Sequence, residues 1–110
     1  MTNNPDGARS QSEGGILKGL SWALKEEMTF DKTRITSRDG RSYQILQTTE
    51  VPPVDVELID QPDEPPLGAG EGSVAPASAA LVNAVSDATG RRLRELPLSP
   101  RRVKAALAGA

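Results

Sequence analysis

The 110-residue sequence contains no cysteine and no histidine. The first absence excludes disulfides, thiolate metal sites and cysteine-held iron–sulfur clusters. The second removes the commonest metal ligand and the commonest general base. Acid–base chemistry therefore falls to carboxylates, lysines or Tyr43. Aromatics are almost as scarce: Trp22, Phe30 and Tyr43 make up 3% of the chain. A core must rest on Leu, Val, Ile and Ala. Positive charge is not in surplus either. The formal net charge is -2, which excludes generic nucleic-acid binding, since that needs a basic face. No apolar run approaches the roughly 20 residues of a membrane span. The opening residues, Thr2 to Asp6, lack the basic and apolar regions of a signal peptide. None of this fixes the compartment: the cytoplasm is the default, and the periplasm follows if a partner carries the export signal.

Turn-forming residues are plentiful, with nine prolines and ten glycines. The length fits at most one small domain, and the composition suits part of a larger protein as well as an autonomous one. Asn3-Asn4-Pro5-Asp6-Gly7 reads as a loop. From Glu13 to Met28 the spacing predicts a helix, with Ile16, Leu20 and Leu24, and Leu17 and Ala23 alongside, as its apolar stripe and Gly14 and Gly15 in its first turn. Phe30 to Ile35 reads as a strand or hairpin edge, and Arg38 to Arg41 as a turn. Val54-Asp55-Val56-Glu57-Leu58 alternates with the period of a half-buried strand. Residues 60–73 combine an acidic, proline-rich linker with the glycine-rich loop Leu67-Gly68-Ala69-Gly70-Glu71-Gly72-Ser73. Pro76 suits the first turn of a second helix, which Gly90 ends. Arg91 to Leu98 reads as extended. Ser99-Pro100 then caps a short last helix, Arg101 to Ala108. The expected class is α+β: two longer helices, short strands and one short C-terminal helix.

Three segments carry a family resemblance. They are Asn4 to Leu20, with Asn4-Pro5-Asp6-Gly7 leading into Gln11-Ser12-Glu13-Gly14-Gly15 and a helix, then Glu50 to Leu58, similar to the family's Val-Pro-x-Val-x-Val strand, then Pro66 to Ser73, holding Gly68-Ala69-Gly70-Glu71, with the closing Asp87 to Pro97. In this order they resemble the C-terminal part of the large molybdenum-binding subunit in the xanthine dehydrogenase and aldehyde oxidase family, and within it the isoquinoline 1-oxidoreductase-like bacterial branch. The resemblance covers nearly all of residues 1–110 and implies the C-terminal part of the second molybdopterin-binding domain. Gly40 and Gln44 depart from the tryptophan and proline common in that branch. The resemblance therefore speaks to fold and cofactor, not to a particular substrate.

The resemblance implies roles for three positions. Glu71 is the catalytic base, taking a proton from a water-derived ligand of molybdenum so that the oxygen attacks an electron-poor carbon. Its glycine neighbours let the backbone approach a bulky cofactor. Gln11 hydrogen-bonds to the cofactor, an amide being both donor and acceptor, and Gly70 lies against it. The implied cofactor is a molybdenum–molybdopterin, in its dinucleotide form, completed by other parts of the enzyme. The implied partners are the remainder of the molybdenum-binding subunit, an iron–sulfur electron-transfer subunit, and a small aldehyde or N-heterocyclic substrate. No nucleic acid and no membrane span is expected. Without the rest of the subunit the chain would be inactive. Beside this stand two plainer readings, a non-catalytic remnant or interaction module and a free-standing small domain. On them Glu71 is a solvated first-turn carboxylate of a helix and Gln11 a helix-start side chain bonding its own backbone, while Arg91 to Arg94, which could touch phosphate or the nucleotide tail of a pterin cofactor, form a solvated or subunit-contacting face. Gly68-x-Gly70 lacks the strand-turn spacing of a dinucleotide fingerprint.

Overall fold

The computed structural model describes residues 2–109. Its order is helix α1 (Pro5–Leu24), a short 3₁₀ turn (Thr48–Glu50), helix α2 (Val74–Thr89) and helix α3 (Pro100–Ala108). Helix α1 begins a full two turns earlier than the apolar spacing suggests. Asn4 caps it, its side-chain oxygen accepting from Gly7 N–H at 2.9 Å, and Pro5 occupies the first helical position. The Asn-Pro-Asp-Gly run thus serves as a helix start, because proline needs no amide partner there and asparagine is a strong N-cap. Gly14 and Gly15 consequently sit mid-helix, not in the first turn. The helix also ends earlier than Met28. Lys25 and Glu26 N–H both converge on the Ser21 carbonyl, at 3.0 and 3.1 Å.

The glycines explain how α1 packs. Its buried residues are Gly15, Gly19, Ser21 and Ala23, while Ile16, Leu20 and Leu24 are only half-buried. The contact with α2 is therefore made by small residues, which let the two backbones approach closely. A Cβ on Gly19 would lie 2.4 Å from the Val74 carbonyl oxygen, and one on Gly15 would lie 2.1 Å from Ser73 Oγ. Two hydroxyls stitch the crossing: Ser73 Oγ donates to the Ser12 carbonyl at 2.9 Å, and Ser78 Oγ to the Gly19 carbonyl at 3.0 Å. Helix α2 ends as the sequence indicates, at Gly90 with φ 66°, a left-handed conformation that costs glycine little. Ser99 caps α3, accepting from Arg102 N–H at 3.4 Å.

The tail returns to α1. Leu98 is buried and its N–H donates to the Ala23 carbonyl at 2.6 Å. Arg102 pairs with Glu27 and donates to the Leu96 and Pro97 carbonyls. Below α1, the carboxylate of Glu26 gathers Ser21 Oγ at 2.6 Å, Tyr43 OH at 2.7 Å and Lys18 Nζ at 3.3 Å. Ser21 Oγ in turn accepts from Leu46 N–H at 3.0 Å, which ties the 43–46 segment to the helix. Burial pushes the Glu26 carboxyl up, but the hydrogen bonds from Ser21, Tyr43 and Lys18 outweigh it and hold it below the usual range.

The short strands do not form. Among the described residues, β-pairing is confined to one antiparallel bridge, Phe30 to Ile35. Val54 to Leu58 keeps its alternation, with Val54, Val56 and Leu58 half-buried and Asp55 and Glu57 exposed, but it has no ladder partner. A strand is completed by its neighbour, and a single extended segment has none to pair with. The fold is helical with extended connections, not α+β. It is also open. A compact chain of 110 residues has a radius of gyration near 13 Å, whereas this one has 17.2 Å. A compact monomer of this mass exposes about 5,800 Å², against 8499 Å² here.

Candidate active site

One face of α1 and the start of α2 enclose a cleft of about 490 Å³. It is lined by Gln11, Gly14, Gly15, Lys18 and Trp22 from the helix and by Gly70, Glu71, Val74 and Ala75 from the glycine loop and α2. Gln11, Gly70 and Glu71, separated by about sixty positions in sequence, thus meet on one cleft. The small-residue crossing is the reason. Gly15 and Gly19 bring α2 against α1, and the Ser73–Ser12 hydrogen bond fixes the loop end beside the Gln11 turn.

Glu71 stands ahead of α2, not within it. Its carbonyl accepts from Val74 N–H at 3.2 Å, so it forms the turn that enters the helix. Ser73, the N-cap residue, makes no side-chain cap because its hydroxyl is committed to Ser12. Amide donors of an uncapped first turn favour negative ligand atoms nearby. Glu71 and Gln11 are both exposed, and a Cβ built on Gly14, Gly70 or Gly72 meets nothing within 4 Å. The rim is therefore open to a large group that comes close to the backbone.

Four lining residues were not anticipated: Lys18, Trp22, Val74 and Ala75. The first two could have been found from Gln11 by helical spacing, since 11, 15, 18 and 22 share a face. Lys18 Nζ lies 5.3 Å from the Trp22 ring centroid, a cation–π contact, while it also pairs with Glu26. Among the described residues no cluster of three carboxylates could hold a metal ion. The cleft offers a side-chain amide at Gln11, a carboxylate at Glu71 and an ammonium at Lys18. A second cleft of about 530 Å³, lined by Arg92, Arg94, Glu95, Arg101 and Arg102 with Leu93, Leu98, Ala105 and Ala106, shares no residue with the first.

Residues 1–52 match the model of a molybdopterin cofactor-binding domain. The chain is 42% identical over 99% of its length to a subunit of the nicotinate dehydrogenase of Pseudomonas putida. It is 34% identical over 91% of its length to the beta subunit of isoquinoline 1-oxidoreductase of Brevundimonas diminuta. The chain belongs to the xanthine dehydrogenase and aldehyde oxidase family. The crystal structure of quinoline 2-oxidoreductase from Pseudomonas putida 86 matches 96% of the chain with a TM-score of 0.81 and 25% sequence identity. The family's subunits are far longer. The chain spans 9% of the nicotinate dehydrogenase subunit, 13% of the isoquinoline subunit and 14% of the quinoline enzyme's chain. Within the family, this chain is a small part of the molybdenum-binding subunit. Among its described residues, no helix is long and apolar enough to cross a membrane.

Proposed function

We propose that residues 1–110 supply one wall of a molybdenum hydroxylase active site, with Glu71 as general base and Gln11 as a hydrogen-bonding contact to a molybdopterin cofactor in its dinucleotide form. The observation that supports this best is the meeting of Gln11, Gly70 and Glu71 on one cleft. When bound, the cofactor would supply Lewis acidity and accept an electron pair. Glu71 takes up the proton released as a water-derived oxygen adds to an electron-poor carbon of an aldehyde or N-heterocycle. Gln11 offers both a donor and an acceptor to the cofactor, and Gly70 removes the side chain that would hold the backbone away from it. Electrons leave through the iron–sulfur centres of a partner subunit, as the family resemblance implies; with no cysteine, this chain has no thiolate to hold such a cluster. The 60–73 segment is the linker and loop that deliver Glu71.

The other walls belong to the greater part of the large subunit. By itself this piece does not enclose a cofactor, as its open shape indicates. A non-catalytic interaction module is the second reading, and the same exposed area favours it. Co-expression separates the two. This chain would be tagged and produced, in a host that makes the molybdenum cofactor, with a relative's large subunit lacking the matched stretch. The active-site reading predicts that purification brings down molybdenum together with aldehyde- or N-heterocycle-dependent dye reduction. The interaction module predicts a complex with neither.

A further inference from the structure

Two residues of the Glu71 cleft have no part in the chemistry proposed above. Among its described lining residues, Lys18 is the cation and Trp22 the aromatic ring. They stand four apart on α1, hence on one face, with Lys18 Nζ 5.3 Å from the Trp22 ring centroid. Trp22 is 48% exposed, which leaves much of its ring free to meet a ligand. The Lys18 ammonium is not used up either. It carries three donors, and Glu26 takes two of them at most, at 3.3 and 3.4 Å. Glu26 itself is held more closely by Ser21 Oγ at 2.6 Å and Tyr43 OH at 2.7 Å. Lys18 also lines an adjoining hollow with Leu17, Ser21 and Glu26, so its flexible stem stands at the boundary between that hollow and the cleft.

We infer that Lys18 and Trp22 form a substrate subsite, and that the molecule oxidised beside Glu71 is an aromatic aldehyde or N-heterocycle bearing a carboxylate. The ring lies against the Trp22 indole and the carboxylate meets the Lys18 ammonium. This rests on Glu71 acting as the base, as proposed above. Two observations favour the substrate over the cofactor as the anion that Lys18 receives. Lys18 lies seven residues from Gln11, roughly 10 Å along the helix axis, well away from the amide assigned to the cofactor. The indole beside it offers stacking to an aromatic ring and nothing comparable to a phosphate. The cleft, of about 490 Å³, falls in the size range of small-molecule sites. A neutral substrate would gain nothing from the ammonium, so Lys18 selects by charge.

Steady-state kinetics of the molybdenum-loaded complex, formed with a relative's large subunit lacking the matched stretch, tests the subsite. Two matched pairs serve as probes: a pyridinecarboxylate with its carboxamide, and a formylbenzoate with benzaldehyde. For the pair it oxidises, the parent complex should show a KM about tenfold lower for the carboxylate member, and added salt should narrow the gap. Lys18→Met should raise KM for the carboxylate about tenfold, with kcat, the neutral member's KM and the molybdenum content unchanged. Lys18→Arg should restore most of the difference, and Trp22→Leu should raise KM for both members. A parent complex that does not favour the carboxylate would overturn the inference, and that result needs no variant to fold. So would a Lys18→Met complex that loses both members equally, or one that loses molybdenum, which would put Lys18 on the cofactor. Either result leaves the base assignment standing if Glu71→Gln still abolishes turnover. A complex without molybdenum, or one that oxidises neither pair, contradicts the active-site reading and the subsite with it.

Discussion

The Val74 carbonyl oxygen lies 2.4 Å from where a Cβ on Gly19 would stand. This distance governs the site, because Val74 begins the helix that follows Glu71 and Gly19 lies two turns beyond Gln11 on α1. Glycine is what allows the two helices to cross so closely, and the crossing is what brings both site residues to one cleft.

Gly19→Ala should therefore destabilise the chain by about 1–3 kcal/mol, the range for overpacking, despite the roughly 1 kcal/mol that alanine gains in helix propensity. Gly15→Ala should cost less. Its added Cβ meets Ser73 Oγ, the movable end of a side chain, at 2.1 Å. Combining Gly15→Ala with Ser73→Ala should recover part of the loss. Thermal or urea unfolding of the four variants, treated as a double-mutant cycle, measures this coupling.

Gly14 offers the opposite case on the same helix. A Cβ there meets nothing within 4 Å, so Gly14→Ala should stabilise the isolated chain by up to about 1 kcal/mol. The same Cβ would enter the cleft. In the co-expressed complex the variant should retain less molybdenum than the parent, as metal analysis would show.

The tail should be anchored by burial and not by charge. Leu98→Ala truncates a buried aliphatic side chain and should cost about 2–4 kcal/mol. Glu27→Gln breaks the ion pair with Arg102, whose partners remain partly solvated, and should cost under about 1 kcal/mol. Denaturant midpoints of the two variants decide the order.

Acid should weaken the 43–46 attachment. The Glu26 carboxyl is held below its ordinary value of 4.5. Its folded pKa is thus depressed, and the stability it contributes is present above the unfolded value and lost as pH falls through the folded one. Tyr43, held above 10.0 by its bond to Glu26, works in the reverse sense: its contribution is present below 10.0 and lost as pH rises through the raised folded value. Melting temperatures of the parent should fall between neutral pH and about pH 3, with a smaller fall in Glu26→Gln.

Much of the helical frame was legible from local chemistry. Gly90 as a left-handed stop and Ser99-Pro100 as a cap each act within one turn of their own position. Asn4-Pro5-Asp6-Gly7 misled because the same residues serve turns and helix starts, and only the 2.9 Å bond from Gly7 N–H to Asn4 distinguishes them. The packing stripe was only partly right: Ala23 is buried, but the closest contact uses Gly15 and Gly19, which hydrophobic spacing ignores. Val54 to Leu58 alternates in burial as the sequence indicates but pairs with no strand among the described residues, since alternation tells which face is buried and not what lies beside it. Gln11 and Glu71 were reached through the family resemblance. Their common cleft depends on a helix crossing between residues sixty apart, which no local pattern encodes.

The central claim is that Glu71 acts as the base in a cleft it shares with Gln11. The most direct measurement compares substrate-dependent dye reduction by the molybdenum-loaded complex containing the parent chain with that of Glu71→Gln, at equal molybdenum content. Loss of a general base predicts a turnover rate lower by about 10²–10⁴-fold with metal retained. Turnover that stays within a few-fold of the parent, with molybdenum equally bound, would contradict the assignment.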